Sequence, residues 1–353
     1  MTDAVGRRRA DGRRREHRPV ATRRPVGTGS RPLPGEAIAD PASAIADALV
    51  AGDDESAGAF VRRFADAASA EASTQTRTLD ARPLRGVSVA VKDNVAIAGF
   101  PLGAGSRQRE GQPPERRDAA ILAELRGHGA IPVGAAALHE FALGVTGINA
   151  YAGTPLHPVD PWRLPGESSS GSAVAVANGA AVIGIGTDTA GSVRIPAALC
   201  GVVGFKPSYN EYPTSGVYPL SYTLDHVGLI GKDVTTLRRT HAVLTGEVID
   251  VALPRRVAVI EEHLGACDPE VRDRVRRVLD LLSDAGVEVG TAAWPGIERS
   301  AAASTFILLP EAAAVHRDAL AGAPERFGPD VRKLLAAGAR VDPAVHVAAL
   351  EDR

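Results

Sequence analysis

Two short turns of glycine and hydroxyl residues mark where this chain could do chemistry. They are Gly166-Glu-Ser-Ser-Ser-Gly-Ser172 and Gly186-Thr-Asp-Thr-Ala-Gly-Ser192. The stretch between them, 173–185, carries no charge. Charge-free packing around hydroxyl-rich turns means that the turns emerge from a rigid interior, which is how a reactive group is held still. Phosphate binding is one reading, because both turns have the glycine spacing of a P-loop. Neither has the Lys that should follow the second glycine. An α/β-hydrolase nucleophile elbow needs Gly-x-Ser-x-Gly, and neither turn supplies it. A third reading is a serine nucleophile within a run of backbone N–H groups. Thr189, Ala190, Gly191 and Ser192 could aim several N–H groups at one point, as an oxyanion hole requires, and small residues let a substrate carbonyl come close.

A serine nucleophile needs a base. None of the nine His sits in a small-residue turn. Lysine is scarce: Lys92, Lys206, Lys232 and Lys333 are the whole set, and every other Lys/Arg cation is Arg. Lys92 directly follows the apolar run 87–91. An amine at the end of a buried strand is desolvated, which lowers its pKa and lets it accept a proton. On spacing alone, an ordinary ion pair with Asp93 or another acid stays open.

The elements that must hold these groups alternate between strand and helix. Gly86–Val91 reads as a buried strand ending at Lys92, Asp118–His128 as a helix stopped by Gly129, and Ile131–Gly134 as a strand. Ser172–Gly179 is small and apolar all round, which suits a buried helix. Val182–Gly186 reads as a strand and Val193–Leu199 as a short helix. Further on, Val257–Ile260 and Val287–Val289 read as strands, and Pro269–Ala285 and Thr305–Leu320 as helices. Upstream, Asp40–Ala72 has helical periodicity, with Asp40 and Pro41 at its start and a break into two helices near 52–54. The alternation predicts an α/β layered fold with helices on both faces of a sheet. The long stretch 145–171, rich in Gly, Pro, Asn and Ser, is expected to be functional. Gly144–Asn149 is expected to set a turn near the pocket, with Tyr151, His157 and Trp162 as candidates to line it or to pack the loop.

Composition removes other classes. The 353 residues carry 40 Lys+Arg against 42 Asp+Glu, a net charge of −2, with 44% hydrophobic residues. Such a chain is neither disordered overall nor a generic nucleic-acid binder. No apolar run is long enough to span a membrane. Two cysteines, Cys200 and Cys267, are too few for a disulfide scaffold or a Cys-based zinc site. The charge is uneven: ten Arg and three acids give residues 1–35 a charge of +7 and leave −9 for the rest. Segment 1–36 is expected to be a disordered Arg-rich tail, followed by one domain over 37–353.

Four stretches closely resemble the amidase signature family: Val89-Ala-Val-Lys-Asp-Asn94, Pro165-Gly-Glu-Ser-Ser-Ser-Gly-Ser-Ala173, Gly186-Thr-Asp-Thr-Ala-Gly-Ser-Val-Arg-Ile-Pro-Ala197 and Cys200-Gly-Val-Val-Gly-Phe-Lys-Pro207. Asp225-His-Val-Gly228, after Tyr218-Pro-Leu220, resembles the family's next segment. The resemblance runs from about residue 40 onward and implies an α/β/α layered fold around a mixed central sheet. It implies a Ser–Ser–Lys triad, with Ser192 as nucleophile, Ser168 as bridging serine and Lys92 as base. It implies an oxyanion hole from the N–H groups of Thr189, Ala190, Gly191 and Ser192. Asp188 and Arg194 are read as a buried pair bracing the nucleophile turn, and Thr187 and Thr189 as holding it through local hydrogen bonds. The activity implied is hydrolysis of a carboxylic amide through a serine acyl-enzyme, with no metal or cofactor. A small-molecule amide is the expected partner, without membrane or nucleic acid, in the cytoplasm; a homo-oligomer is left open. A glutamine-dependent amidotransferase A-type subunit shares the same triad and stands as an alternative. An inactive, shortened homologue is another.

Two departures from the family pattern stand out. The family usually has Gly–Gly before the bridging serine, and here the pair is Gly166–Glu167. The resemblance implies a cis bond there, between Glu167 and Ser168. A carboxylate near Lys92 would raise the amine's pKa, unless it pointed to solvent or into the substrate pocket. The family also usually continues well beyond a segment like Glu311–Arg317, whereas this sequence stops at Arg353, so the fold is expected to lack its C-terminal part.

Overall fold

A computed structural model describes residues 38, 40–52, 57–78, 81–144, 146–247 and 252–353. The Arg-rich segment 1–36 and the expected break at 53–54 lie outside these residues. The described residues all fall within the unit Pro32–Arg353. In chain order the first elements are α1 (Pro41–Ala51), β1 (Phe60–Arg63), α2 (Ala65–Thr78), β2 (Ser88–Lys92), α3 (Ala120–Gly127) and β3 (Ile131–Ala136). The two turns then flank α4 (Ser170–Ala177) and β4 (Ile183–Asp188), followed by α5 (Arg194–Leu199), β5 (Val203–Phe205), β6 (His226–Gly231) and α6 (Val234–Thr245). The remainder is β7 (Arg256–Val259), α7 (Glu261–Ala266), α8 (Pro269–Asp284), β8 (Glu288–Thr291), α9 (Ile297–Val315), α10 (Arg317–Gly322), α11 (Pro329–Gly338) and α12 (Pro343–Asp352).

Strands β1–β6 form one mixed six-stranded sheet in the order β1-β3-β2-β4-β6-β5. Its centre is parallel, with β2 between β3 and β4. The flanking strands β1, β6 and β5 run antiparallel to their neighbours. Strands β7 and β8 form a separate parallel pair. Side chains alternate between the faces of a strand, so one sheet serves two cores. Val89, Val91, Ile183, Ile185 and Leu229 point into the core covered by α3, α6, α9 and α11. Ala90, Val133, Ala136 and Ile230 point into the core covered by α1, α2, α4 and α5. This is the α/β/α layering that the sequence predicts.

Local chemistry explains several element starts. The Asp40 side chain accepts the N–H of Ala42 and caps α1, with Pro41 in the first turn. Asp233 caps α6 by accepting from Thr236. One expectation fails between 40 and 72. The structure has two helices, α1 and α2, but strand β1 lies between them. Phe60 and Arg63 pair across to Ala136 and Gly134 of β3. Periodicity cannot separate a four-residue strand from a helical turn, and the pairing that decides it comes from a distant segment. The helix expected at Thr305–Leu320 begins earlier, at Ile297, and divides into α9 and α10 at His316. Among the described residues, no helix is long and apolar enough to cross a membrane.

Candidate active site

The parallel register of β2 and β4 brings the key groups together at the C-terminal ends of these two central strands. Val91 pairs with Ile185, so Lys92 at the end of β2 lies level with Gly186, next to Thr187. Helix α4 packs directly over β4. Ser172 Oγ donates to Ile185 O at 2.9 Å, and Ser169 Oγ donates to Thr187 O at 3.3 Å. Glycine permits this approach: a Cβ on Gly186 would sit 2.6 Å from Ser169 Oγ and 2.8 Å from a Val193 methyl. Its absence lets the N-terminal turn of α4, with Ser168 just before it, come down onto the end of β4.

Lys92 is fully buried. Its Nζ lies 2.7 Å from Ser168 Oγ and 2.7 Å from Thr187 Oγ1. Asn94 Nδ2 donates to the same Thr187 hydroxyl oxygen at 3.2 Å. Burial pulls the Lys92 pKa from 10.5 down to about 7, against the opposing pull of Asp188, Asp225 and Glu167. The ion pair with Asp93 that spacing left open does not form. Asp93 instead accepts from the backbone of Gly103 and Gly105, and burial raises its pKa to about 6. The peptide bond between Glu167 and Ser168 is cis.

Ser192 is half-buried at the end of the second turn. Its carbonyl accepts the N–H of Ser169 at 3.1 Å, which ties the two turns together beside Ser168. Its hydroxyl makes no hydrogen bond to Ser168 or to another described residue. The turn itself is organised by Asp188. One carboxylate oxygen accepts from Gly191 N at 2.8 Å and Arg194 Nη2 at 2.8 Å. The other accepts from Arg194 Nε at 3.0 Å and from the N–H of Val193 at 3.2 Å. Burial opposes the Asp188 charge, yet the Arg194 contacts and these N–H groups together hold its carboxyl below the usual range. Arg194 is half-exposed, so only the acid of this pair is buried. The Gly191 N–H is thereby occupied. Among the four N–H groups expected to form an oxyanion hole, those of Thr189, Ala190 and Ser192 have no partner among the described residues. Thr189 Oγ1 donates to Asp225 at 2.6 Å, and Asp225 also accepts from the N–H groups of Leu220 and Ser221.

A cavity of about 290 Å³ opens on Thr187 and Asp225, with Val217, Pro219, Tyr209 and Tyr222 in its wall. Of the three residues suggested as lining, Tyr151 borders a separate cavity of about 490 Å³, and His157 and Trp162 border neither. Trp162 is 95% exposed, and His157 Nε2 contacts Leu199 O at 2.9 Å, as loop packing. The turn Gly144–Asn149 abuts the first Gly/Ser turn, because Gly147 N donates to Glu167 Oε2 at 2.9 Å. Glu167 is buried and not directed to solvent. Among the described residues, no group of three or more His, Cys, Asp and Glu is arranged to hold a metal ion. Sequence reasoning assigned no role to Asn94, His139, Asp225 or Asp330. Asn94 and Asp225 lie inside recognisable stretches, whereas His139 and Asp330 carry no local signal.

Known proteins resemble this chain over much of its length. The chain is 40% identical over 210 residues to indoleacetamide hydrolase of Pseudomonas savastanoi, covering 58% of this chain and 46% of that protein. It is 37% identical over 247 residues to the A-type subunit of glutamyl-tRNA(Gln) amidotransferase from Deinococcus radiodurans, covering 65% and 51%. The chain thus spans about half the length of the curated relatives it matches. A crystal structure of an amidase superposes with a TM-score of 0.82 at 34% identity, covering 88% of this chain and 73% of that one. The amidase family model matches residues 50–337, a stretch that holds β2, both Gly/Ser turns and β4, and the chain therefore belongs to the amidase family.

Proposed function

We propose that the chain hydrolyses a carboxylic amide through an acyl-enzyme on Ser192. The observation that carries this reading is the 2.7 Å contact between a fully buried amine, Lys92, and the Ser168 hydroxyl. In the proposed sequence, neutral Lys92 takes the Ser168 proton as Ser168 takes that of Ser192. Ser192 Oγ attacks the amide carbonyl carbon, and the unpartnered N–H groups of Thr189, Ala190 and Ser192 receive the developing oxyanion. The proton returns through Ser168 to the leaving amine. Water then hydrolyses the ester and restores Ser192. Asp188 and Arg194 support the turn and do no chemistry. The aromatic wall of Tyr209 and Tyr222 makes an aryl acetamide such as indoleacetamide the first substrate to assay. Labelling with a fluorophosphonate tests the reading: the chain takes the label and Ser192→Ala does not. Absence of labelling in folded protein overturns it.

A second reading rests on the likeness to the amidotransferase chain. On that reading the same acyl chemistry would take glutamine as its amide and release ammonia. Glutaminase activity exceeding hydrolysis of aryl amides would favour it.

A further inference from the structure

The carboxyl of Glu167 lies in a buried cluster outside the proposed triad. Glu167 Oε2 accepts the Gly147 N–H at 2.9 Å and faces His139 Nδ1 at 3.3 Å. His139 is 1% exposed, and its Nε2 lies 3.1 Å from Asp330 Oδ2. The ring is fixed from several sides. A Cβ on Gly144 would sit 1.9 Å from His139 Nε2, so this glycine packs flat against the imidazole. The neighbouring Glu140 accepts the Gly328 N–H at 2.7 Å and the Ser106 hydroxyl, which clamps the Asp330 segment to the His139 loop. Asp330 borders the cavity of about 490 Å³ and is more than half exposed.

Proton counting constrains this arrangement. A carboxylate only accepts, so Asp330 calls for the imidazole proton on Nε2. Nδ1 then presents a lone pair, and it makes no hydrogen bond to Glu167 or to any other described residue. A lone pair facing the Glu167 oxygen at 3.3 Å repels it unless a proton lies between them. We propose that His139, oriented by Asp330, is a positioning residue that holds a proton on the Glu167 carboxyl and so withholds a negative charge from Lys92. The inference rests on the Ser–Ser–Lys reading. It gives the one side chain that departs from Gly–Gly at the bridging serine a neutral state beside the base. The charged groups around this contact are Lys92 from β2 and Asp330 from α11; Asp188 and Asp225 also act on Lys92. Burial raises the Glu167 pKa to about 7 and lowers that of His139, the directions a neutral carboxyl and a neutral ring require.

Two variants undo the arrangement. In His139→Gln the amide N–H₂ donates to Glu167, and in Asp330→Asn the ring is free to place its proton on Nδ1 and donate. Both favour the carboxylate, which favours protonated Lys92. The acid limb of the pH profile of kcat/KM therefore moves to higher pH, by about half a unit or more. On a Glu167→Gln background neither substitution moves the limb. Lower activity with an unmoved limb in both single variants overturns the proposal, and so does a shift that persists on the Glu167→Gln background. The ring ¹⁵N shifts of His139 in the full chain give a readout independent of activity. They are expected to show Nε2 protonated and Nδ1 bare; an imidazolium at a pH of about 6 to 7 overturns the inference. Failure of Ser192 to label, with the expected ring state, would sink the catalytic reading alone.

Discussion

Asp188 and Glu167 are buried carboxyls near the same amine, one in each Gly/Ser turn, and they are held in opposite ways. Asp188 has donors on both oxygens, from a guanidinium and from the backbone N–H groups of Gly191 and Val193. Its charge survives burial. Glu167 has one backbone N–H, and the imidazole nitrogen beside it makes no hydrogen bond. Burial wins there, and the group's pKa rises to about 7. Depth alone does not decide whether a buried acid is ionised; the number of donors aimed at it does. The turn with the satisfied acid carries the proposed nucleophile. The turn with the unsatisfied acid carries the serine in contact with the base.

The largest expected effect tests the group that both acids act upon. Lys92→Met keeps the apolar stem and removes the amine, and amide hydrolysis is expected to fall roughly a thousandfold while fluorescence and circular dichroism report a folded chain. Retained activity would leave the two acids with no common target. Next comes stability in urea. Asp188→Ala leaves buried N–H groups without an acceptor and is expected to cost about 3 kcal/mol. Arg194→Ala removes a half-exposed partner and is expected to cost only about 1 kcal/mol. Glu167→Gln, which can still accept from Gly147, is expected to cost less than about 1 kcal/mol. Equal losses for Asp188→Ala and Glu167→Gln would break the contrast.

The pH dependence of stability gives the last contrast, because the two acids differ there in sign. Between 4.5, the ordinary value for Glu, and about 7, the unfolded chain has released a proton that folded Glu167 keeps. This group therefore makes stability fall as pH rises through that window, by no more than about 1.4 kcal/mol per pH unit. Glu167→Gln removes that slope. Asp188 has its folded pKa below the ordinary 3.8, so its contribution is present above 3.8 and is lost as pH falls through the lower folded value. Asp188→Asn removes that acid-side loss. Urea titrations of the three chains at a series of pH values measure both slopes, and slopes of the same sign would contradict the assignment.

Much of the site was legible because its parts lie in short continuous stretches. The strand leading to Lys92, the all-small helix α4 and the strand β4 follow from local pattern, and the two turns stand out by composition. The expected bracing pair, Asp188 and Arg194, lies six residues apart across a single turn, where local chemistry governs. Thr187 was legible in the sequence but not in its role. It was read as a local loop residue, whereas its hydroxyl meets Lys92 from a strand 95 residues away. Strand β1 was read as helix because four residues carry too little periodic signal.

The sequence alone determined the serine-rich turns, a single lysine at the end of a buried strand, and a layered fold to place them. Those features depend on composition and near-neighbour spacing. The tertiary structure decided which N–H of the second turn is occupied by Asp188, which hydroxyls meet the amine, and how the carboxyl of Glu167 is received. The contact that orients His139 joins residues 191 positions apart, brought together by packing of α11 against the loop after β3. No local rule relates two such positions, and the protonation of a buried acid depends on the donors that distant segments bring to it.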